Sequence, residues 1–358
     1  MRTKETGKRS SNLIKNLLLT LVSTLITLLL VEVILRFFFA DYLYTGSTAR
    51  SLYYSSPNLT LTQDHQAVHY APNTLIRSIA VYYNQIEYDT RHHANNFGFL
   101  SDEDYKKEDK PGILFLGDSF TAGVASTTPW IPQLNKKYDN INLYSMGVTG
   151  TGIWNFYNTL NSYKDKLNFD TIVVLSISDD LRRHKWYPDE RNGYLYFCFK
   201  EKENAPCTLH QPIAKIIDID MDAKDLLKPE ELYVIKAYNV LKDKFEKFLK
   251  KEKSKPVPKR IVPNNLNYDM SYLTKIKALA DSMGKKVIFV HIPEKAEAKA
   301  GHYRCNVKAD IEKLGIAYYP LLQTHPFDMS MYHKHDGHPN DRGYAYLSSI
   351  MEEILKLK

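Results

Sequence analysis

Two short stretches hold side chains that can do acyl-transfer chemistry together. The first is ILFLGDSFTAG, residues 113 to 123, where Ser119 follows an apolar run and stands among glycine and acid. A serine hydroxyl is a poor nucleophile at neutral pH and needs a base, usually an imidazole held by a carboxylate. The second stretch, YHKHDGHPNDRGY near the C-terminus, sets Asp336 two residues before His338, and then Pro339 and Asn340 turn the chain. So tight a loop can present both side chains to one cleft. A developing oxyanion also needs donors, and a backbone N–H at a glycine turn provides one. Gly147, in SMGVTGTG, is placed for this.

These residues must be gathered by the elements between them. From Pro111 onward short apolar runs recur: GILFLGDS, INLYSMG (141–147), TIVVLSISDD (171–180), KKVIFVHIPEK (285–295) and GIAYYPL (315–321), each followed by a stretch able to form a helix. Strands of that length, apolar on both faces, belong to a parallel sheet covered by helices on both sides. The expectation for residues 111–358 is an α/β domain, doubly wound, with a mainly parallel five-stranded sheet. Such sheets bind ligands beyond the carboxyl ends of their strands, where Ser119, Gly147, Asp179 and Pro293 all fall.

Residues 16–39 carry the one clear membrane signal, a stretch without charge from Asn16 to Val31 that continues apolar to Phe39 around Glu32 and Arg36. It is long enough to cross roughly 30 Å of hydrocarbon. Glu32 and Arg36 are four apart, so they share a helix face and can pair near the far end of the span. The preceding tail, residues 1–15, contains Arg2, Lys4, Lys8, Arg9 and Lys15, which places it in the cytoplasm and the rest of the chain outside. A cleaved signal peptide would have a shorter apolar core and a small-residue cleavage site, whereas this run ends in Arg-Phe-Phe-Phe. In an oxidising compartment Cys198 and Cys207 can close a small loop and leave Cys305 single, a pairing the sequence leaves open.

Residues 40–110 are rich in tyrosine, asparagine and histidine without a long periodic helix, and read as a tether that packs onto the domain. Within them the adjacent His92 and His93 read as surface residues. An insertion at about 187–262 contains apolar residues at 234, 235, 238, 241, 245, 248 and 249, a helical spacing with lysines mostly on the other face, which reads as a solvated helix. The net charge of +7 is mild and no basic face is interleaved with aromatics, so nucleic acid is not an expected partner.

The chain resembles the SGNH (GDSL-like) hydrolase superfamily, and more narrowly its membrane-anchored bacterial branch. LGDSFTAG looks like the nucleophile block, SMGVTGTG like the glycine block and DGHPNDRGY like the acid and base block; the likeness spans about residues 95–358 and the EVILR ending of the anchor. It implies an SGNH/flavodoxin-like fold with Ser119 as nucleophile, His338 as base and Asp336 as its orienting acid. The Ser119 backbone amide and Gly147 would receive the oxyanion. It also implies an anchor in the bacterial inner membrane with the domain periplasmic or extracellular, and no metal or organic cofactor. The implied activity is a serine esterase acting on small O-acyl esters, acetyl above all, of carbohydrate. The alternatives are an O-acyltransferase in polysaccharide modification and a catalytically impaired carbohydrate-binding protein.

Two departures narrow this. Only Gly337 separates Asp336 from His338, a gap found in anchored and polysaccharide-modifying members. More seriously, the third block normally supplies an asparagine amide to the oxyanion, and SISDD puts Asp179 there. An ionised carboxylate would repel the developing charge; losing one donor costs about 2.7–4 kcal/mol. Either burial and Asp180 keep Asp179 protonated, or an amide such as Asn155 takes over, or the site is impaired. His333, His335, Asp336 and His338 also suggest zinc ligands, but the spacing is off by one at Asp336. Trp130, Trp154 and Trp186 read as packing residues, Arg182 and Arg183 as an exposed pair or an anion clamp, and His291 with Pro293 as a strand end.

Overall fold

In the computed structural model the five apolar runs form five parallel strands; residues 4–39, 50–55, 58–64, 66–199, 206–228, 232–251 and 268–357 are described. The chain divides into two compact units, Met1–Arg50 with Leu227–Arg260, and Ser51–Leu226 with Ile261–Lys358. Helix α1 (Lys4–Phe38) belongs to the first. The second begins with β1 (Arg50–Ser55), β2 (Leu59–Leu61), β3 (Val68–Tyr70), β4 (Thr74–Tyr82) and β5 (Gln85–Ala94). Then come β6 (Gly112–Gly117), α2 (Ser119–Ala122), α3 (Trp130–Asn135), β7 (Asn142–Gly147), α4 (Ile153–Tyr163) and β8 (Thr171–Ser176). Strands β9 (Trp186–Arg191), β10 (Tyr194–Phe199) and β11 (Leu209–Ile217) precede α5 (Tyr233–Lys251), which returns to the first unit. The chain closes with α6 (Ser271–Ser282), β12 (Lys286–His291), α7 (Lys295–Ala300), α8 (Lys308–Lys313), β13 (Ala317–Pro320), α9 (Leu321–Thr324) and α10 (Asp341–Leu355).

The parallel sheet has the order β13-β12-β8-β6-β7. Side chains alternate between two buried layers, which is why each run is apolar throughout. Leu114, Leu116, Ile172, Val174, Val287 and Phe289 enter one cluster with Trp154, Leu160 and Ile276 of α4 and α6. Ile113, Phe115, Val173, Leu175, Ile288 and Val290 enter the other with Ile131, Leu134, Leu347 and Ile350 of α3 and α10. Because β7 lies outside β6 while β8 lies on its other side, the winding reverses between β6 and β8. The loops after those two strands therefore part and leave a crevice at their carboxyl ends, the usual ligand position in such sheets.

A second sheet was not foreseen from the sequence. Its order is β5-β4-β1-β11-β10-β9, so the stretch read as a tether and the first part of the insertion pair into one six-stranded layer. Strand β1 lies parallel to β11, with Tyr53 opposite Lys215. The β4–β5 hairpin turns at Tyr83 and Asn84, both at positive φ (51° and 61°), and β9–β10 turns at Asn192 and Gly193 (52° and 73°). Two consecutive positive-φ residues match the twist of a hairpin, and Asn-Gly is the strongest short sequence signal for one. Cys198 and Cys207 form a disulfide at a Cα–Cα separation of 5.4 Å, and Cys305 is a buried free thiol. His92, expected on the surface, is buried in β5, where desolvation lowers its pKa.

In the smaller unit, residues Lys15–Phe38 of α1 are long and apolar enough to cross a membrane. The hydroxyls of Thr20, Thr24 and Thr27 donate to carbonyls four residues back at 2.8–2.9 Å, so these polar groups are satisfied within the helix. Glu32 and Arg36 pair at 3.5 Å, as their spacing requires.

Candidate active site

The turn from β6 into α2 places Ser119 at the first helical position. The Asp118 side chain caps the helix by accepting the Phe120 N–H at 2.8 Å, and Gly123 ends it in the left-handed region. A helix's first N–H groups have no intrahelical partner, so the Ser119 amide is a free donor by position.

The C-terminal loop brings His338 to this turn. Asn340 caps α10 through Gly343 N–H at 3.1 Å and donates its amide to the Ser330 and Tyr332 carbonyls, while His333 N–H donates to His338 O at 3.1 Å. The loop so held sets His338 Nε2 2.8 Å from Ser119 Oγ, and His338 Nδ1 against Asp336 Oδ1. His338 Nδ1–H donates to the Asp336 carboxylate and Nε2 accepts from the Ser119 hydroxyl; Asp118 Oδ2, at 3.4 Å from Ser119 Oγ, is the more distant acceptor. Asp336 is buried, which by itself would raise its pKa. The charge and hydrogen bonds of His338 and a bond from Tyr82 outweigh this and hold it well below the usual carboxylate range.

Tyr82 is a site residue the sequence did not disclose. It ends β4 in the second sheet, 254 residues from Asp336, and its hydroxyl donates to Asp336 Oδ2 at 2.7 Å. With Oδ1 facing His338 and also accepting the His338 N–H at 2.9 Å, both carboxylate oxygens are engaged. No local pattern around Tyr82 marks it, since 26 tyrosines are spread through the chain.

The proposed oxyanion donors behave differently from expectation. Asp179 turns its carboxylate to Arg182 and Arg304, and despite the desolvation of partial burial these cations lower its pKa, so it is ionised rather than protonated. Asn155 spends its amide on the backbone of Val68, accepting at 2.8 Å and donating at 3.1 Å. The aspartate tied to the nucleophile loop is Asp180. It is fully buried, and Arg183 Nη1 joins it (2.7 Å) to Asp118 (2.8 Å) and to the Thr151 carbonyl (2.6 Å). Burial and the neighbouring Asp118 push the Asp180 carboxyl well above its ordinary value. Arg182 and Arg183 are thus ion-paired, not a vacant clamp.

Gly147 packs directly on the turn that carries Ser119. A Cβ there would lie 2.3 Å from the Ala122 nitrogen and 2.7 Å from the Asp118 carbonyl oxygen, so only glycine permits the approach. Val148 N–H donates to Gly117 O of β6, and Ser145 N–H donates outward to Tyr105 Oη. Alternate amides of a strand face opposite edges, so the Gly147 N–H points to the outer edge, away from β6. Gly150, three residues on, sits at φ 70° and its N–H has no hydrogen-bond partner among the described residues. Its carbonyl accepts from the buried Trp186 indole at 3.0 Å, and the Phe197 ring, stacked on Trp186 at 3.7 Å, presses on its Cα side. Both rings come from the second sheet.

The remaining candidates are structural. Trp130, Trp154 and Trp186 are all buried. His333 Nε2 meets the Ala125 carbonyl at 2.8 Å and the His335 ring packs edge-on against Tyr83, so neither ring joins Asp336 and His338. His291, fully buried at the end of β12, forms a second serine–histidine pair: its Nε2 is 3.1 Å from Ser178 Oγ and its Nδ1 3.0 Å from Tyr318 Oη. It stacks on Tyr303 at 3.7 Å, and desolvation lowers its pKa to about 3.

No protein-family model and no curated protein matches the chain. Among solved structures it is similar to a lipase/acylhydrolase from Enterococcus faecalis, at 13% identity over 69% of this chain and 97% of that one, TM-score 0.35. It is also similar to a member of the lipolytic protein G-D-S-L family from Veillonella parvula DSM 2008, at 14% identity over 68% and 98%, TM-score 0.34. A third is a GDSL-like lipase from Bacteroides thetaiotaomicron VPI-5482, at 12% identity over 68% and 87%, TM-score 0.35.

Proposed function

We propose that this chain is an SGNH-type serine esterase, anchored in the bacterial inner membrane by α1 with its catalytic domain facing the envelope, and acting on small O-acetyl esters of carbohydrate. The observation that carries the reading is the continuous path Ser119 Oγ, His338, Asp336, closed at its far end by Tyr82. Ser119 Oγ attacks the acyl carbonyl as its proton passes to His338 Nε2. The Ser119 and Gly150 N–H groups receive the oxyanion, Gly150 replacing Gly147 because its donor is free and its loop is tied to Asp118 through Arg183. Collapse expels the sugar hydroxyl, which takes the proton from His338 and leaves an acyl-serine. Water then attacks the acyl-serine while giving a proton to His338, and collapse releases the acid as His338 returns that proton to Ser119 Oγ. Asp336 orients the imidazole and stabilises it while charged.

The carbohydrate part of the reading draws on a cleft of about 360 Å³ whose lining includes His184, Lys185, Tyr268 and Tyr272, tyrosine faces and polar side chains of the kind that suit a sugar. Intact-mass analysis after exposure to an alkyl phosphonate tests the nucleophile. Wild type is expected to gain one phosphonyl group and Ser119→Ala none; an unlabelled wild type would overturn the proposal.

A further inference from the structure

Helix α5 is amphipathic, and the described part of its apolar face is exposed. Ile235, Tyr238, Leu241 and Phe245, spaced by three or four residues, remain 47, 65, 67 and 62% exposed. A helix of a globular domain normally buries such a stripe. Scattered single apolar residues on a surface need no explanation, but four in register on one helix face do.

Where α5 begins says what covers it. Glu32 Oε2 accepts the Val234 N–H at 3.0 Å, and the Arg36 guanidinium lies over the Tyr233 ring at 5.0 Å. Glu32 and Arg36 belong to the last turns of the apolar span Lys15–Phe38. The first turn of α5 is therefore pinned to the end of the segment that would cross the bilayer, at the depth where that segment leaves the hydrocarbon. Lys236, Lys242 and Lys244 add cationic charge along the same helix. A helix with Leu, Phe and Tyr along one stripe and lysines at its edge, as Lys242, and on its other side, as Lys236 and Lys244, lies in the plane of a membrane interface, with its stripe about 5–10 Å into the headgroup and acyl boundary. Lysine stems reach past the apolar edge to anionic headgroups.

We propose that α5 is a second membrane contact, lying flat on the lipid surface beside the exit of α1. The occupant of its apolar face is the bilayer: continuity with the span sets the depth, and the lysines match anionic lipid. This inference rests on reading α1 as a membrane span and is independent of the esterase chemistry.

Depth-resolved fluorescence tests it on full-length protein in phosphatidylcholine–phosphatidylglycerol vesicles. In a Cys305→Ser background, single NBD labels go on Leu241→Cys and Phe245→Cys in the stripe, on Asn239→Cys off it, and on Ile26→Cys in mid-span. Nitroxide on shallow lipid positions is expected to quench the labels at 241 and 245 several-fold more than the label at 239, with the label at 26 quenched by deep nitroxide. If 241 and 245 are as open to aqueous iodide as 239 while 26 is protected, the helix is solvated, and the inference falls while the anchor stands. If 241 and 245 are shielded from iodide yet untouched by lipid nitroxide, a protein surface covers the stripe, and the inference falls. Iodide access at 26 would overturn the anchor and the inference together.

Discussion

The molecule contains two serine–histidine pairs at the carboxyl edge of its parallel sheet, and they differ in everything except the contact itself. Ser119 and His338 meet at 2.8 Å, Ser178 and His291 at 3.1 Å. Behind His338 stands a buried carboxylate; behind His291 stands the Tyr318 hydroxyl. The His338 side chain keeps 18% of its surface open, whereas His291 has none and is sandwiched against Tyr303. At the first pair the Asp336 carboxylate stands against Nδ1, where it would stabilise a charged imidazole. At the second, nothing compensates the desolvation and the ring stays neutral. Proximity of hydroxyl and imidazole is common to both pairs; a paired negative charge and an opening to solvent belong to the first alone, and on the proposed function they are what would make Ser119 a nucleophile.

The largest expected effect comes from making the first pair resemble the second. Asp336→Asn keeps the shape but leaves no anion behind His338, and kcat is expected to fall about 10⁴-fold in steady-state assays on an acetyl ester. A fall below tenfold would mean that the carboxylate is not what distinguishes the pairs. Next comes the hold on that carboxylate. Tyr82→Phe removes one hydrogen bond to Asp336 Oδ2 while keeping the ring, so kcat should drop about tenfold with KM unchanged. A KM change of that size instead would place Tyr82 in substrate binding.

The smallest effect on activity is expected at the second pair, which should be read out in stability. His291→Gln should leave kcat within about twofold. Its native pKa of about 3 lies below the ordinary 6.5 of the unfolded chain. The unfolded state therefore binds the extra proton between those values, and stability from the neutral ring, fully present above pH 6.5, is lost as pH falls. Relative to the variant, wild type should lose about 1.4 kcal/mol per pH unit from 6.5 downward in denaturant titrations. Parallel curves for the two proteins would show that His291 is not held neutral.

The site's outline was legible because its chemistry sits in local strings. LGDSF and DGHPN each join a strand end or helix cap to a polar side chain, and in the structure the caps are made by Asp118 and Asn340. Asp179 was misplaced because two consecutive aspartates differ only in which way the turn points them: Asp180 turns inward to Arg183 and Asp179 outward to Arg182 and Arg304. Gly147 and Gly150 share a block, and only strand parity and the neighbouring rings tell their amides apart. The second sheet went unread although Asn192-Gly193 marked one of its hairpins, because its strands mix polar and apolar residues and one of its central pairings, β1 with β11, joins segments far apart in sequence.

By itself the sequence determined the α/β core, an apolar helix long enough to cross a membrane and the candidate serine, histidine and aspartate that the fold brings into contact, since each is written in contiguous periodicity or in a short motif. Only tertiary structure decided that Tyr82 holds Asp336, that Trp186 and Phe197 clamp the Gly150 turn, and that Ile235, Tyr238, Leu241 and Phe245 of α5 are exposed. Those depend on contacts between segments distant along the chain, and no local spacing of residues encodes which distant surface a side chain will meet.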